Sequence, residues 1–388
     1  MNEIAIIMAA GIAPRLAAFH ALFNWKKGLG FVQSNLQKTT ENLPQNDRAL
    51  AYEIALGTCR NLTELDKKLQ SLMRKLSEEP CRTVLEISLY QLLYTRIPPY
   101  AVVNSAADLA RHLGLSEHGV KFVNAILRNA IRKNFAKIEN DSAKAPLQWI
   151  RINPQKTTIK ELIAKLGLQE PKILFNRFIS VRNAGEILKN PLFEKGFYSF
   201  QNPASFFTAK MCGVKSGYKI WDACAAPGGK TAMLAEENPE AFFVSTDSSE
   251  KRIAKLFDLQ KRLGLNNVHI ALANAQAPPF SAYFDVVIID APCSNRGVAL
   301  RRPEVLHNFS KEKISELAKK QLAILQGASV AVKKNGVLIY SVCSQEKEET
   351  SEVVEKFLSK NFVQEDFIFT DMPEADGFYV AKLKKVES

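Results

Sequence analysis

The stretch of residues 219–231, Lys-Ile-Trp-Asp-Ala-Cys-Ala-Ala-Pro-Gly-Gly-Lys-Thr, constrains the fold of this chain more than any other. A short apolar run ends at Asp222, a loop with one proline and two glycines follows, and a helical pattern starts at Thr231. The order strand, tight loop, helix start is typical of a nucleotide-binding α/β fold. Gly228 and Gly229 let the backbone approach a ligand, and the N–H groups of the new helix point at its polar groups. The stretch therefore predicts a cofactor site of the nucleotide type.

Two common nucleotide motifs do not match this loop. An ATP-binding P-loop reads Gly-x-x-x-x-Gly-Lys-Ser/Thr, and Cys224 stands where its first glycine belongs. The dinucleotide pattern Gly-x-Gly-x-x-Gly is also missing from the loop. Residues 242–247 predict a second strand ending at Asp247, where a carboxylate takes the ribose hydroxyls of an adenosine cofactor. This favours a cofactor with a free ribose. A P-loop ATPase remains the minor alternative, because residues 286–290 resemble a Walker B strand.

The loop Asp-x-Cys-Ala-Ala-Pro-Gly-Gly-Lys-Thr resembles the S-adenosylmethionine loop of the RNA cytosine-5 methyltransferases. Two later stretches share the resemblance, Asp-Ala-Pro-Cys-Ser at residues 290–294 and Tyr-Ser-Val-Cys-Ser at residues 340–344, and each has a cysteine just after a predicted strand. The resemblance implies an enzyme that uses S-adenosyl-L-methionine. The cofactor-binding residues that it implies are Cys224, Ala225, Ala226, Pro227, Gly228, Gly229, Lys230, Asp247, Asn274 and Asp290.

The chemistry of that family explains why two cysteines and an acid are needed. Cytosine C5 is a weak nucleophile, so a thiolate must first add to C6 and turn the ring into an enamine. An acid at the N3 and N4 edge lowers that barrier, and a base must later remove the C5 proton. By resemblance, Cys343 is the nucleophile, Asp290 holds the pyrimidine edge and Cys293 assists product release. The alternative, Cys293 as nucleophile, follows the Pro-Cys element of the DNA cytosine-5 methyltransferases.

Two departures from the family pattern bear on these expectations. Residues 273–275 read Ala-Asn-Ala, where the family has an aspartate for the adenine amino group. The carbonyl oxygen of Asn274 can accept the same hydrogen bond without its charge-assisted part, which predicts weaker cofactor binding. Residues 294–297 read Ser-Asn-Arg-Gly in place of Ser-Gly/Ala-Thr-Gly. The contrasting hypothesis is a non-catalytic RNA-binding or assembly protein with a degenerate methyltransferase fold; retention of both cysteines argues against it.

Apolar periodicity divides the chain. Residues 13–135 show helical patterns only. The stretches Asp-Arg-Ala at residues 47–49, Ile-Pro at 97–98 with Val-Asn at 103–104, and Phe-Val-Asn-Ala-Ile-Leu-Arg at 122–128 resemble the NusB-like RNA-binding domain of the Sun/Fmu group of bacterial ribosomal RNA methyltransferases. From residue 218 onward predicted strands and helices alternate, which indicates a doubly wound, Rossmann-like parallel sheet. A helix at residues 311–332, capped by Asn335-Gly336, is expected before a strand at residues 337–342. The predicted domains are residues 1–140, all-helical; 141–205, a linker and small α/β subdomain; and 206–388, the methyltransferase fold with a terminal antiparallel hairpin at residues 362–369 and 377–383.

A formal net charge of +12 suits either a polyanionic partner or mere solubility. The partner that the resemblance implies is small-subunit ribosomal RNA, naked or in an early assembly intermediate. Predicted RNA contacts in the catalytic part are Arg151, Asn153, Gln201, Arg301 and Arg302. In the helical part the candidates for phosphate are Arg48, Arg128 and Arg132.

Six cysteines without a Cys-x-x-Cys pair, and five scattered histidines, predict neither a metal site nor a disulfide framework. Reduced thiols are typical of a cytoplasmic protein. The apolar opening at residues 4–12 lacks a basic flank and is too short to cross a bilayer, so we expect no membrane partner. The protein is expected to act as a monomer.

Overall fold

The computed structural model describes residues 11–73, 77, 79–135, 147–308, 310–358, 361–370, 372 and 375–386. It divides into two compact units, residues 1–145 with 301–307, and residues 146–300 with 308–388. Most of the apolar opening at residues 4–12 and the start of the predicted linker, residues 141–146, lie outside the described residues. Within the described ranges, no helix has the length and apolar character that a membrane span requires.

The first unit is helical, as its apolar periodicity predicts. Its helices are α1 (Ile12–Lys26), α2 (Val32–Thr39), α3 (Gln45–Arg60), α4 (Leu62–Leu72), α5 (Cys81–Tyr94), α6 (Pro99–His112) and α7 (Glu117–Arg132). Residues 83–93 of α5 are all buried, so this helix forms the centre of the unit. Pro99 takes the first position of α6, where the missing N–H of proline is not needed. One hydrophobic core therefore joins the helices.

The segment 301–307 also belongs to the first unit, although it lies far away in the sequence. The imidazole of His307 lies 3.0 Å from the carbonyl oxygen of Cys59. The buried carboxylate of Glu304 lies at the start of α2, near the backbone N–H groups of Val32 and Gln33 but outside hydrogen-bond geometry. Burial raises the pKa of Glu304. No feature of the sequence predicted this placement.

A small antiparallel sheet opens the second unit. Its strands β1 (Gln148–Ile152), β2 (Ile173–Leu174), β3 (Phe178–Val181) and β4 (Tyr198–Phe200) lie in the order β2-β3-β1-β4, accompanied by helices α8 (Ile159–Leu166), α9 (Ala184–Lys189) and α10 (Pro191–Glu194). Thr158 and Glu161 form a capping box at the start of α8, and Gly167 ends it in the left-handed region. The sheet has a hydrophobic core of its own around Ile150, Leu162 and Tyr198.

The second unit also contains a seven-stranded mixed sheet. Its strands are β5 (Lys219–Asp222), β6 (Phe242–Asp247), β7 (Val268–Leu272), β8 (Phe284–Asp290), β9 (Val332–Val342), β10 (Phe362–Thr370) and β11 (Phe378–Lys385), in the order β10-β11-β9-β8-β5-β6-β7. The remaining helices of the chain are α11 (Ser205–Cys212), α12 (Gly229–Glu237), α13 (Glu250–Leu263), α14 (Val305–Asn308), α15 (Lys311–Ser329) and α16 (Ser351–Phe357).

This sheet confirms the Rossmann-like prediction. Strands β5 to β9 are parallel, while β11 lies antiparallel between β9 and β10, as the predicted terminal hairpin requires. After β5 the chain winds first toward β6 and β7 and then, from β8, in the opposite direction. The switch point lies between β5 and β8, so the ligand crevice is expected at the carboxyl ends of these strands.

One predicted boundary is wrong. Helix α15 ends at Ser329, and β9 begins at Val332, which pairs with Phe284 before the register shifts. Asn335 has φ +59° inside this irregular part of the strand, and a Cβ on Gly336 would lie 2.9 Å from the carbonyl oxygen of Lys333. The Asn-Gly pair therefore marks a strand irregularity rather than a helix cap, and the same residue types suit both.

Candidate active site

Four candidate functional residues meet at one edge of the large sheet. Asp222, Asp247 and Asp290 are the last residues of β5, β6 and β8, and Cys343 directly follows β9. In the parallel register, Asp222 lies opposite Ile288 and Asp290 lies opposite Ser341. Because parallel strands end at the same edge, the structure brings these side chains to the predicted crevice.

The loop between β5 and α12 is held by hydrogen bonds to the neighbouring elements. The carboxylate of Asp222, only 1% exposed, accepts a hydrogen bond of 2.6 Å from the hydroxyl of Thr231. The backbone N–H of Ala225 donates to the carbonyl of Thr246 at 2.8 Å. Gly228 has φ +102°, and a Cβ there would lie 2.4 Å from Leu256. Glycine is therefore required at position 228, and the loop has one defined shape.

The crevice is rich in carboxylates. Burial, together with the charge of Asp290, raises the pKa of Asp222 to about 7, against the lowering effect of the Thr231 hydrogen bond. Burial and the three aspartates at the strand ends raise the pKa of Cys224 to about 12, so this thiol is neutral. Several carboxylates in a partly buried crevice favour a ligand that carries positive charge.

Asp247 has a free acceptor in the right place for a ribose. One carboxylate oxygen accepts a hydrogen bond of 3.0 Å from the backbone N–H of Ser249. The other oxygen, buried, has no hydrogen-bond partner among the described residues, and Arg252 approaches it only to 3.4 Å. Arg252 also donates to the carbonyl of Ala226, which connects the loop to α13. An orphaned buried acceptor at the end of the second strand fits a ribose hydroxyl.

Asn274 is exposed and follows β7. The backbone N–H of Ala273 donates to the carbonyl of Asp247 at 3.2 Å, so Asn274 lies close to the end of β6. Its side-chain oxygen already accepts a hydrogen bond of 3.0 Å from the backbone N–H of Gln276. In this conformation the oxygen has one lone pair left for a ligand, and the amide nitrogen has its N–H donors.

Lys230 and Asp290 form an ion pair within the crevice. The ammonium of Lys230 lies 2.6 Å from one oxygen of Asp290, and the hydroxyl of Ser341 donates to the other at 3.2 Å. Burial alone would lower the pKa of Lys230, but the charge and hydrogen bond of Asp290 raise it, and Cys343 contributes in the same direction. The loop lysine is therefore a cation that faces both Asp290 and the Cys343 sulfur.

The two cysteines predicted to act on cytosine are in contact. Their Sγ atoms lie 3.3 Å apart, with Cys293 buried and Cys343 half-buried. The hydrogen bond with Cys343, burial and the proximity of the second sulfur raise the pKa of Cys293 well above that of a free thiol. Cys293 therefore keeps its proton at neutral pH. Among the described residues, no group of three metal-ligating side chains was found.

Asn295 contacts the more exposed cysteine. Its side-chain oxygen accepts a hydrogen bond of 3.0 Å from Cys343 Sγ, while its amide nitrogen donates to the carbonyl of Cys293 at 2.9 Å. The residue has φ +59°, which asparagine tolerates better than most residues. The sequence showed Asn295 only as a departure from the family pattern; its position beside the thiol could not be predicted.

Glu349 holds the two cysteine loops together. Its carboxylate, which is fully buried, accepts hydrogen bonds from the serines that directly follow the two cysteines, Ser294 and Ser344, each hydroxyl at 2.5 Å. It also accepts from the backbone N–H of Ser294 at 2.8 Å and from the Gln321 amide at 3.0 Å. The hydroxyl of Tyr340 donates to the carbonyl of Glu349 at 2.6 Å. Glu349 was not predicted, because it looks like one more charge in an exposed acidic run.

Two predicted RNA contacts are wrong. Arg151 is 1% exposed and forms a buried ion pair with Glu236, while its Nε donates to Gln201 at 2.6 Å. Asn153, also 1% exposed, donates to the carbonyl of Gly196 at 3.2 Å. These side chains join β1 to α12 and to the segments before and after β4, and they are not available to RNA. Gln201 remains partly exposed beside Gly229.

The other predicted basic contacts differ in their surroundings. Arg48 donates to the carbonyls of Thr40 and Glu41 at the end of α2, so part of its hydrogen-bonding capacity is used within the protein. Arg301 and Arg302 lie in the segment that packs in the first unit, with Arg302 6.0 Å from the ring of Phe31. Arg128 and Arg132 are exposed on α7.

Comparison with known proteins relates each of the two parts of the chain to a family. Residues 211–384 match the family model described as 16S rRNA methyltransferase RsmB/F, and residues 12–132 match the NusB family. The chain carries an RsmB/F methyltransferase domain behind a NusB-family domain. The RsmB/F match confirms the predicted class, an rRNA methyltransferase with S-adenosylmethionine as methyl donor. It does not support the P-loop ATPase.

Individual relatives extend over most of the chain. The ribosomal RNA small subunit methyltransferase B of Pasteurella multocida is 29% identical over 407 residues, covering 90% of this chain and 91% of the relative. The crystal structure of PH0851 covers 97% of this chain and 99% of its own, with a TM-score of 0.78 at 19% identity. NSun6 from Pyrococcus horikoshii, solved with SFG, has a TM-score of 0.55 at 21% identity over 67% of this chain and 98% of its own. At these identities the two structures support the fold alone.

Proposed function

We propose that this protein methylates C5 of a cytosine in small-subunit ribosomal RNA through a covalent bond between Cys343 and C6 of the base. The observation that carries the proposal is the pair of thiols 3.3 Å apart at the carboxyl edge of the sheet, beside the Lys230–Asp290 ion pair. Two adjacent thiols with different exposure suit the two halves of the reaction, attack and release.

The crevice has the groups that S-adenosylmethionine needs. Asp247 would take the ribose hydroxyls, Asn274 the adenine edge, and the loop of residues 224–230 with the start of α12 the methionine part. The aspartates suit the positive sulfonium. When bound, the cofactor supplies an electrophilic methyl group. Weaker binding through Asn274 stays a prediction.

The protein side of the reaction follows from the contacts. Cys343, which is half-buried, loses its thiol proton to solvent, and its thiolate adds to C6. The electron pair of the C5–C6 bond then becomes available at C5 for methylation. The Asp290 carboxylate accepts a hydrogen bond from the exocyclic amino group at N4, and the Lys230 ammonium supplies a proton donor beside it. These contacts hold the pyrimidine edge and stabilise the charge that develops on the ring.

Release of the product requires two bonds to break. A base takes the C5 proton, the electrons restore the C5–C6 double bond, and the bond between C6 and Cys343 Sγ breaks. The raised pKa of Cys293 keeps a proton 3.3 Å from that sulfur. Cys293 therefore hydrogen-bonds to the departing thiolate and makes it a better leaving group.

Bisulfite sequencing tests the substrate and the position of the methyl group. Unmodified 16S rRNA incubated with the protein and S-adenosylmethionine should gain one protected cytosine, and omission of the cofactor should abolish it. Transferred methyl groups without any protected cytosine would contradict C5 as the acceptor. Protection of large-subunit RNA alone would contradict the substrate. A cytoplasmic location and a monomeric state remain predictions, which fractionation and light scattering can check.

A further inference from the structure

The first unit has an open groove between α6 and α7. The groove has a volume of about 870 Å³, within the range of roughly 300–1,000 Å³ typical of small-ligand sites. Its lining includes the apolar side chains of Val103 and Ile131 together with Tyr100, Asn104, Arg128 and Arg132. The groove therefore combines one aromatic ring, one amide and two guanidinium groups around an apolar surface.

The aromatic ring is unusually accessible. Tyr100 is 72% exposed, the largest exposure among the large hydrophobic and aromatic side chains of the described residues. Ile131, which lines the same groove, is 40% exposed. Exposed tyrosine beside an apolar lining costs free energy in water unless a partner covers it. A flat ligand that stacks on the ring would cover both residues.

The guanidinium groups beside the ring are unpaired. Neither Arg128 nor Arg132 forms an ion pair or hydrogen bond with any residue in the described ranges, whereas Arg82 pairs with Asp66 and Glu86 in the same unit. Arg128 and Arg132 are four positions apart on α7, so they lie on one face, where like charges repel each other. An anion between them would remove that repulsion.

We propose that this groove binds one or two unpaired nucleotides of RNA, with a base stacked on Tyr100 and the backbone phosphate between Arg128 and Arg132. Base stacking on an aromatic ring and phosphate contacts by arginine are the two elements of single-strand recognition. A duplex hides the faces of its bases, so the exposed ring favours unpaired RNA. Asn104 is placed to hydrogen-bond a base edge. The identity of this RNA with the methylation substrate rests on the function proposed above. The binding of RNA in the groove does not depend on that function.

The test is direct binding of a fluorescein-labelled, single-stranded 12-nucleotide RNA of mixed sequence to the full-length protein, followed by anisotropy over a salt series. Tyr100→Ala should weaken binding by about 5- to 150-fold, the range expected for the loss of one base stack, while Tyr100→Phe should bind within about twofold of the wild type. Arg128→Ala and Arg132→Ala should each lower the slope of log affinity against log salt by about 0.7.

Arg111→Ala is the matched control, because Arg111 is an exposed arginine of α6 that pairs with Asp108 and does not line the groove. It should change neither the affinity nor the salt slope. Three results would each overturn the proposal. Arg111→Ala and Arg128→Ala could have equal effects, Tyr100→Ala could bind the RNA as tightly as the wild type, or the wild type could bind a duplex of the same sequence as tightly as the single strand. A photo-crosslinker at position 100 that captures only ribosomal protein, and no RNA, would also overturn it.

These results are independent of the proposed chemistry. Methylation by each variant is measured separately at saturating RNA, and Arg111→Ala should keep the wild-type rate. If the wild type fails to protect any cytosine, the proposed function fails while the groove measurements stand. If methylation is seen but the groove variants bind RNA normally, only the groove proposal fails. Melting curves of each variant confirm folding, which truncation of a 72% exposed side chain should barely affect.

Discussion

Replacing Glu349 with alanine tests whether one buried carboxylate holds both cysteine loops in position. The carboxylate accepts four hydrogen bonds, three of them from the serines next to Cys293 and Cys343: two from their hydroxyls and one from the backbone N–H of Ser294. Without it, the two serine hydroxyls, 3.3 Å apart, can still pair with each other. The Gln321 amide keeps its bond to the carbonyl of Pro292. The backbone N–H of Ser294 loses its acceptor.

The expected loss of stability follows from this count. An orphaned buried N–H costs about 1–3 kcal/mol, and the cavity left by the carboxylate and its methylene groups adds a term of similar size. Removing a buried charge recovers part of this cost. We expect the free energy of unfolding to fall by about 2–4 kcal/mol for Glu349→Ala. Glu349→Gln, which keeps one acceptor oxygen and the shape, should lose about 1–2 kcal/mol.

Activity should fall as well, even in the fraction that remains folded. The serines are covalently next to the thiols, so their release lets both sulfur atoms shift. A misplacement of about 1 Å is enough to reduce a rate about 100-fold. Urea unfolding and single-turnover methylation of ribosomal RNA, measured well below the melting temperature, separate the two effects. Glu348→Gln is the matched control, because Glu348 is exposed in the same run and should change stability by less than about 0.5 kcal/mol. Wild-type stability and rate in Glu349→Ala would refute the role of this carboxylate.

Three further predictions concern the crevice. The folded-state pKa of Asp222, about 7, lies above its ordinary value of 3.8, so the folded protein holds this proton more tightly than the unfolded chain. The protonated carboxyl therefore contributes to stability below pH 4, and this contribution is lost as the pH rises to about 7. In urea unfolding of the cofactor-free protein, Asp222→Asn should show a flatter dependence of stability on pH than the wild type. Calorimetry should detect binding of S-adenosylmethionine and not of ATP. Asp247→Asn should bind S-adenosylmethionine about tenfold more weakly, whereas the control Asp258→Asn, at an exposed position, should bind it as the wild type does. Tight binding of ATP without binding of S-adenosylmethionine would contradict the cofactor site. Asn295→Gly should keep the free energy of unfolding within about 1 kcal/mol of the wild-type value, since glycine accepts φ +59°. It should slow methylation roughly tenfold in single-turnover assays, because Cys343 loses its orienting contact. An unchanged rate would show that Asn295 only fills space.

Much of the catalytic fold could be predicted because its signals are local. The strands that end at Asp222, Asp247 and Asp290 are short apolar runs followed by turn residues, and the parallel arrangement brings those ends to one edge. The approach of the cysteine loops followed from the same rule, since Cys293 and Cys343 each come after neighbouring strands. Local pattern and topology agreed in this part of the chain, so apolar periodicity was sufficient to predict the strands and the edge at which they end.

Features that depend on distant partners could not be predicted. Arg151 is a basic residue in a strand, and only the presence of Glu236, 85 positions later, makes it a buried ion pair instead of an RNA contact. Glu349 and Glu348 are identical in sequence terms, yet one is buried among four donors and the other is exposed. Asn335-Gly336 fits a helix cap and a strand irregularity equally well, and the pairing of Val332 with Phe284 decides between them.

The covalent adduct is the most direct test of the proposed chemistry. Labelled 16S rRNA, S-adenosylmethionine and each cysteine variant are incubated together and run on a denaturing gel. Cys293→Ala should attack and methylate but release slowly, giving a shifted protein–RNA band, whereas Cys343→Ala should give no band and no methylation while it still binds RNA and cofactor. A band from Cys343→Ala and none from Cys293→Ala would exchange the two roles. Full activity in both variants, with no band from either, would contradict the thiol mechanism.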